Sequence, residues 1–271
     1  MRKLRVTRSF IPNMFTLMNL FGGFMAIIRI AEGQFVQAAG FIVLSAVFDM
    51  LDGAVARLTQ STGEFGAELD SLCDAVSFGV APAFMLYKAY FVQAGEYGVA
   101  IASLPALAGA LRLARFNVQT DAHAMDKRYF RGMPIPAGAL TILSYVLFYH
   151  RSDTPNAVVL LPEPWKPLAI TAVTILTAAA MVSTIRYDAL PLPTLRVIRE
   201  RPLLMAFFTV GFLLGLLSQG ALVFPFMLLY ICAGAARGLW NVLTSLKNIG
   251  IHAGEGEDAD DEELGAESLD V

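Results

Sequence analysis

The feature that most constrains this chain is a succession of long apolar stretches, about eight of them. They fall near residues 14–31, 35–56, 68–91, 97–116, 132–150, 166–185, 203–219 and 221–245. A bilayer core takes roughly 20 apolar residues as a helix. Inside lipid a backbone satisfies its own polar groups only as a helix or a closed barrel, and stretches of this length read as helices. The sequence therefore predicts an all-α fold, a polytopic integral membrane helix bundle with about eight transmembrane helices. Composition agrees, at 56% hydrophobic and 16% charged, against about 25% charged in a typical soluble domain. It argues against a water-soluble enzyme, a disordered protein and a nucleic-acid partner. The third stretch is the weakest, because Asp70 and Asp74 interrupt its start.

Charge gives the orientation. With the N-terminus in the cytoplasm, sixteen of the 20 Lys and Arg residues fall on the cytoplasmic side and only Arg29, Lys88, Arg151 and Lys166 on the other. The positive-inside rule favours that arrangement. An even number of spans brings the C-terminus back to the same side. Residues 255–270 hold nine acids and no base, leaving 14 acids against 20 bases elsewhere. Such a tail reads as solvated and disordered. The organisation expected is an interfacial amphipathic segment at 1–12, carrying Arg2, Lys3, Arg5 and Arg8, a transmembrane catalytic domain at 13–250, and a disordered acidic cytoplasmic tail at 251–271. No small-residue cleavage site follows the first span, so it reads as retained rather than as a signal peptide. Cys73 and Cys232 sit in apolar runs with no CxxC or Cys/His cluster, which excludes a disulfide framework or structural zinc.

Four aspartates stand where apolar residues are expected. Asp49 and Asp52 are three apart near the end of the second span, and Asp70 and Asp74 are four apart at the start of the third. Each pair shares a helix face. The two spans form a hairpin about a turn near Ser61–Thr62, so Asp49 falls level with Asp74, and Asp52 with Asp70. The carboxylates can converge in two rungs, the deeper roughly 12 Å in from Arg57 at 1.5 Å per residue. Hard oxygen donors without thiol or imidazole suit Mg²⁺ or Mn²⁺, and Ca²⁺ less specifically. Two such ions about 3.5–4 Å apart are a common phosphoryl-transfer arrangement. Gly53 and Ala56 keep the helix face thin, Arg57 offers a bidentate anion contact, and Gly66 opens the third span. Small residues of this kind also serve helix packing, and a lone arginine there also serves topology.

The whole pattern, Asp49-x2-Asp52-Gly53-x2-Ala56-Arg57-x8-Gly66-x3-Asp70-x3-Asp74, resembles the signature of the CDP-alcohol phosphatidyltransferase family. Upstream, Pro12-Asn13-x2-Thr16-x2-Asn19 is similar to the family's opening motif. The resemblance implies two divalent ions, Mg²⁺ or Mn²⁺, held by Asp49, Asp52, Asp70 and Asp74, with Asp74 taking the proton of the attacking hydroxyl. It implies that Asn13, Thr16, Gly53, Ala56, Arg57 and Gly66 line the CDP-lipid site. It also implies a homodimer in membrane lipid.

Leu69–Phe84 (LDSLCDAVSFGVAPAF), Leu113–Asn117 (LARFN) and Phe130–Ala137 (FRGMPIPA) look like the phosphatidylserine synthase branch. That branch implies CDP-diacylglycerol and L-serine as substrates, with phosphatidylserine and CMP as products. A serine zwitterion needs a cation for its carboxylate, which makes Arg112, Arg115 and Arg131 candidates, with Asn117 as a hydrogen-bond donor. The runner-up acceptors are glycerol-3-phosphate and inositol phosphate. A divalent-metal or proton-coupled transporter would spread its acids along a path instead of clustering them at one depth.

Overall fold

The computed structural model describes residues 4–59, 64–121, 129–151, 156–158, 162–188, 202–240 and 244. Among the described residues the helices are α1 (Leu4–Ala31), α2 (Phe35–Thr59), α3 (Glu64–Asp74), α4 (Ala81–Ala89), α5 (Gly95–Asp121), α6 (Ile135–Tyr145), α7 (Lys166–Val182), α8 (Pro202–Leu217) and α9 (Val223–Trp240). A π turn at Ala75–Val80 joins α3 to α4 without a break, and a second at Val146–His150 extends α6. Among the described residues, six segments are long and apolar enough to cross a membrane: Pro12–Ala31, Phe35–Ala56, Glu64–Ala89, Phe91–Val118, Glu163–Val182 and Val223–Trp240. The fifth and seventh stretches form shorter apolar helices, Ile135–His150 and Met205–Leu217. The molecule is thus an all-α, multi-pass membrane protein.

The described residues add several details to the sequence reading. Helix α1 starts at Leu4 and runs through Pro12, so residues 4–12 are its first turns. The 60–63 turn, the acidic tail at 251–271, and Arg2, Lys3, Lys127, Arg128, Arg196, Arg199, Arg201 and Lys247 lie outside the described residues, as do the side chains of Arg5, Arg8, Arg57, Arg131 and Arg186. The fifth span begins at Ile135 rather than 132 because the residues before it are spent on a short ribbon. There β1 (Tyr129–Arg131) pairs antiparallel with β2 (Arg186–Asp188), with Phe130 opposite Tyr187. Gly132 leaves the ribbon at φ +80°, a left-handed conformation that favours glycine. A Cβ there would also collide with the Met181 carbonyl. The Gly132 N–H donates to Ile185 O at 2.9 Å and the Met133 N–H to Ala180 O at 3.0 Å, tying the start of α6 to the end of α7.

In lipid, helices gain little from burying apolar surface against each other, so close packing across small residues holds them. Helix α1 shows this clearly. A Cβ on Gly22 would run into the Ser45 hydroxyl of α2, and one on Gly23 into Ser77 of the π turn. The glycine pair lets α1 approach both neighbours at one level. Across the bundle, Ile135 fills the space between Gly79 and Gly109, its Cδ1 lying 3.6 Å from a Cβ built on Gly79. Gly79 thus takes part in close helix packing. The interior continues through Ile42, Phe78, Met85, Ile142, Tyr145, Ile170 and Met181, all buried.

Candidate active site

Helices α2 and α3 place the acids. One carboxylate oxygen from each of Asp49, Asp70 and Asp74 lies within 4.8 Å of the other two. Asp74 is buried, and Asp49 and Asp70 are half-buried. The hairpin geometry thus brings Asp49 level with Asp74, as the spacing requires. The second rung differs. Asp52 is buried and is not in that three-oxygen group; the Thr16 hydroxyl of α1 donates to its Oδ2. It remains within electrostatic range of Asp49 and Asp70. Convergence of all four acids is therefore a three-carboxylate cluster with the fourth held at its edge by α1.

Three carboxylates this close repel one another, and an apolar surround strengthens the repulsion. Arg112 of α5, itself buried, lies in electrostatic contact with Asp74 and supplies part of the compensation. The donor set is otherwise what a hard divalent cation takes: carboxylate oxygens from two helices, with no imidazole or thiolate in the group.

Helix α1 contributes a residue whose role the sequence reading left unassigned. Asn19 is fully buried, and its Nδ2 donates to Asp74 Oδ1 at 2.9 Å. Its backbone carbonyl accepts from Ser45 Oγ and from Ser77 Oγ, each at 2.9 Å. Thr16 and Asn19 are three residues apart on one face of α1, so adjacent positions grip Asp52 and Asp74. Asn19 belongs to the opening motif, and a buried amide in an apolar helix was the available signal.

The remaining residues expected at the nucleotide lie on the same three helices. Gly66 of α3 faces Asn13 of α1, a Cβ there sitting 3.7 Å from Asn13 Oδ1. Gly53 and Ala56 are half-buried on α2. On the acceptor side the candidates separate. Arg112 interacts electrostatically with Asp74. Arg115 Nη1 donates to the Val182 carbonyl at 2.8 Å, closing the C-terminal end of α7. Asn117 exchanges hydrogen bonds with Ser71 Oγ, at 3.1 and 3.2 Å, and its Nδ2 lies 3.4 Å from Glu68 Oε2. It therefore clamps α5 to α3 beside Asp70. The backbone of Arg131 sits in the ribbon.

Comparison with known proteins follows the same residues. The family model for CDP-alcohol phosphatidyltransferase matches residues 9–186. A CDP-diacylglycerol–serine O-phosphatidyltransferase of Helicobacter pylori is 44% identical over 142 residues, covering 51% of this chain and 59% of the relative. A protein of the same name from Methanocaldococcus jannaschii is 42% identical over 132 residues, 48% of this chain and 57% of the relative. An archaetidylserine synthase of Methanothermobacter thermautotrophicus is 36% identical over 153 residues, 56% and 64% of the two chains. The match thus spans a little over half the length of these curated relatives. With the family model covering most of the chain and every acid of its signature on facing helices, this protein belongs to the CDP-alcohol phosphatidyltransferase family.

Proposed function

We propose that the chain transfers the phosphatidyl group of CDP-diacylglycerol to L-serine, giving phosphatidylserine and CMP. The observation that carries the reading is the buried cluster of Asp49, Asp70 and Asp74 with a cation, Arg112, beside Asp74. The names of the relatives support the choice of serine.

In this reading the serine hydroxyl attacks the phosphatidyl phosphorus. The P–O bond to the CMP phosphate breaks, and CMP departs with the electron pair. Asp74 accepts the hydroxyl proton; its Oδ1 is held by Asn19, which fixes the carboxylate's direction before the acceptor arrives. Asp49, Asp52, Asp70 and Asp74 would hold two divalent ions, Mg²⁺ or Mn²⁺, with Thr16 steadying Asp52. When bound, such ions neutralise phosphate charge and polarise the scissile bond. Gly53, Ala56, Arg57, Gly66, Asn13 and Thr16 border the nucleotide. Arg112 meets the serine carboxylate, while Arg115 and Asn117 brace the wall behind it.

The N- and C-termini and the site face the cytoplasm, a placement supported by the distribution of the 20 basic residues. The enzyme works as a homodimer, a reading supported by family resemblance. Purified protein with CDP-diacylglycerol and Mn²⁺ should release CMP with serine and far less with glycerol-3-phosphate, inositol phosphate or inositol. Preference for glycerol-3-phosphate would overturn the acceptor and leave the family intact.

A further inference from the structure

A second layer of polar side chains lies about one turn deeper in the hairpin than the acids. Ser45 stands four residues before Asp49 on α2, and Ser77 three residues after Asp74 in the π turn. Both serines are fully buried. Their hydroxyls donate to a single atom, the Asn19 carbonyl of α1, each at 2.9 Å. The side chain of the same residue donates from Nδ2 to Asp74 Oδ1. Asn19 thus carries bonds to α2, to the π turn and to the end of α3.

Hydroxyls elsewhere in the bundle are used differently. Thr16, Ser71, Thr141, Ser144, Thr171 and Thr174 each bond the carbonyl four residues back in their own helix, the local bond open to a helical serine or threonine. Ser45 and Ser77 instead reach across to α1 and meet there. A carbonyl has two lone pairs, one of them used by the helix ladder, so two outside donors concentrate on this one atom. Gly22 and Gly23 leave the room for it, since a Cβ on the first would strike the Ser45 hydroxyl and one on the second the Ser77 hydroxyl. The carboxylates of Asp49, Asp70 and Asp74 repel one another across the gap between α2 and α3. Neutral hydroxyls one turn deeper hold that gap without adding charge. We propose that Ser45 and Ser77 are positioning residues for the acid cluster. They latch α1 to both acid-bearing segments, which seats the Asn19 amide on Asp74 and sets the direction of that carboxylate before a divalent ion binds. This rests on the reading of the acids as ion ligands.

The test is direct Mn²⁺ binding to the full chain in detergent micelles without substrates, followed by the EPR signal of the free ion, with the thermal midpoint recorded alongside. The variants are Ser45→Ala, Ser77→Ala, the double variant, Asn19→Leu and the triple variant. Thr141→Ala is the control, because it removes a buried hydroxyl that bonds within its own helix. The double variant should raise the Kd for Mn²⁺ about 10-fold, the lower end of what ligand-orienting groups contribute. Each single variant should raise it about 3-fold, an even share of that effect, and these carry the test if the double variant does not fold. Thr141→Ala should leave the Kd at its wild-type value. In the Asn19→Leu background the serine changes should add nothing to the Kd, since the hydroxyls act through the amide, while the thermal midpoint still falls. Serine variants that bind Mn²⁺ as wild type does would overturn the inference, whatever their midpoint. A further rise in the Asn19→Leu background, or an equal rise in Thr141→Ala, would overturn it as well. A wild type that binds no Mn²⁺ would overturn the reading of the acids as ion ligands.

Discussion

At the scale of single residues, the site divides into side chains that meet reactants and side chains that hold them. Asp74→Asn keeps size and burial but removes the proposed base and weakens a proposed metal ligand. Turnover should fall by about 10²–10⁴-fold from the loss of the base alone, with CDP-lipid binding retained. CMP release at wild-type rate would take Asp74 out of the mechanism. Asn19→Leu makes the subtler case. It leaves every proposed ligand in place and removes the hydrogen bond to Asp74 Oδ1. Groups that orient metal-binding side chains typically change affinity or activity about 10–100-fold when lost. The half-saturating Mn²⁺ concentration should therefore rise by that order, read by titrating metal against CMP release. An unchanged titration would make Asn19 a packing residue only.

At the scale of elements, α1 is the strut of the site. Gly23→Val places a branched side chain where Ser77 stands. Overpacking of this kind costs about 1–3 kcal/mol, and here it also pushes α1 away from the helices carrying the acids. A lowered thermal midpoint and a larger loss of turnover than of lipid binding are expected; a variant as stable and active as wild type would show that the contact relaxes freely. The helices were legible in the sequence because lipid imposes length and apolarity on each one separately. The level pairing of Asp49 with Asp74 was legible too, since a hairpin fixes depth by distance from its turn. What α1 does was hidden. Thr16 reaches Asp52 across 36 residues and Asn19 reaches Asp74 across 55, and no local period records such a meeting. The ribbon joining Phe130 to Tyr187 was hidden for the same reason. Arg115 looked equivalent to Arg112 by charge and proximity, with Asn117 beside them as a hydrogen-bond donor, and only packing separates their partners.

At the scale of the whole molecule, clustered carboxylates in an apolar bundle make the protein dependent on counter-charge. Excess chelator should abolish CMP release, and Mg²⁺ or Mn²⁺ should restore it, with Zn²⁺ a poor substitute for an oxygen-only site. Full activity in chelator would remove metal from the mechanism. The order of the chain adds a dimension of time. Asp49, Asp70 and Asp74 are all made within the first three spans, whereas Arg112 belongs to a later helix. During synthesis the acids enter the membrane before the arginine that offsets Asp74 exists. An ion captured from solution would be the earliest neutralising partner available to them. A nascent chain halted after α4 should then bind Mn²⁺ before it can recognise any acceptor, so that metal scarcity would be felt first as a failure of assembly.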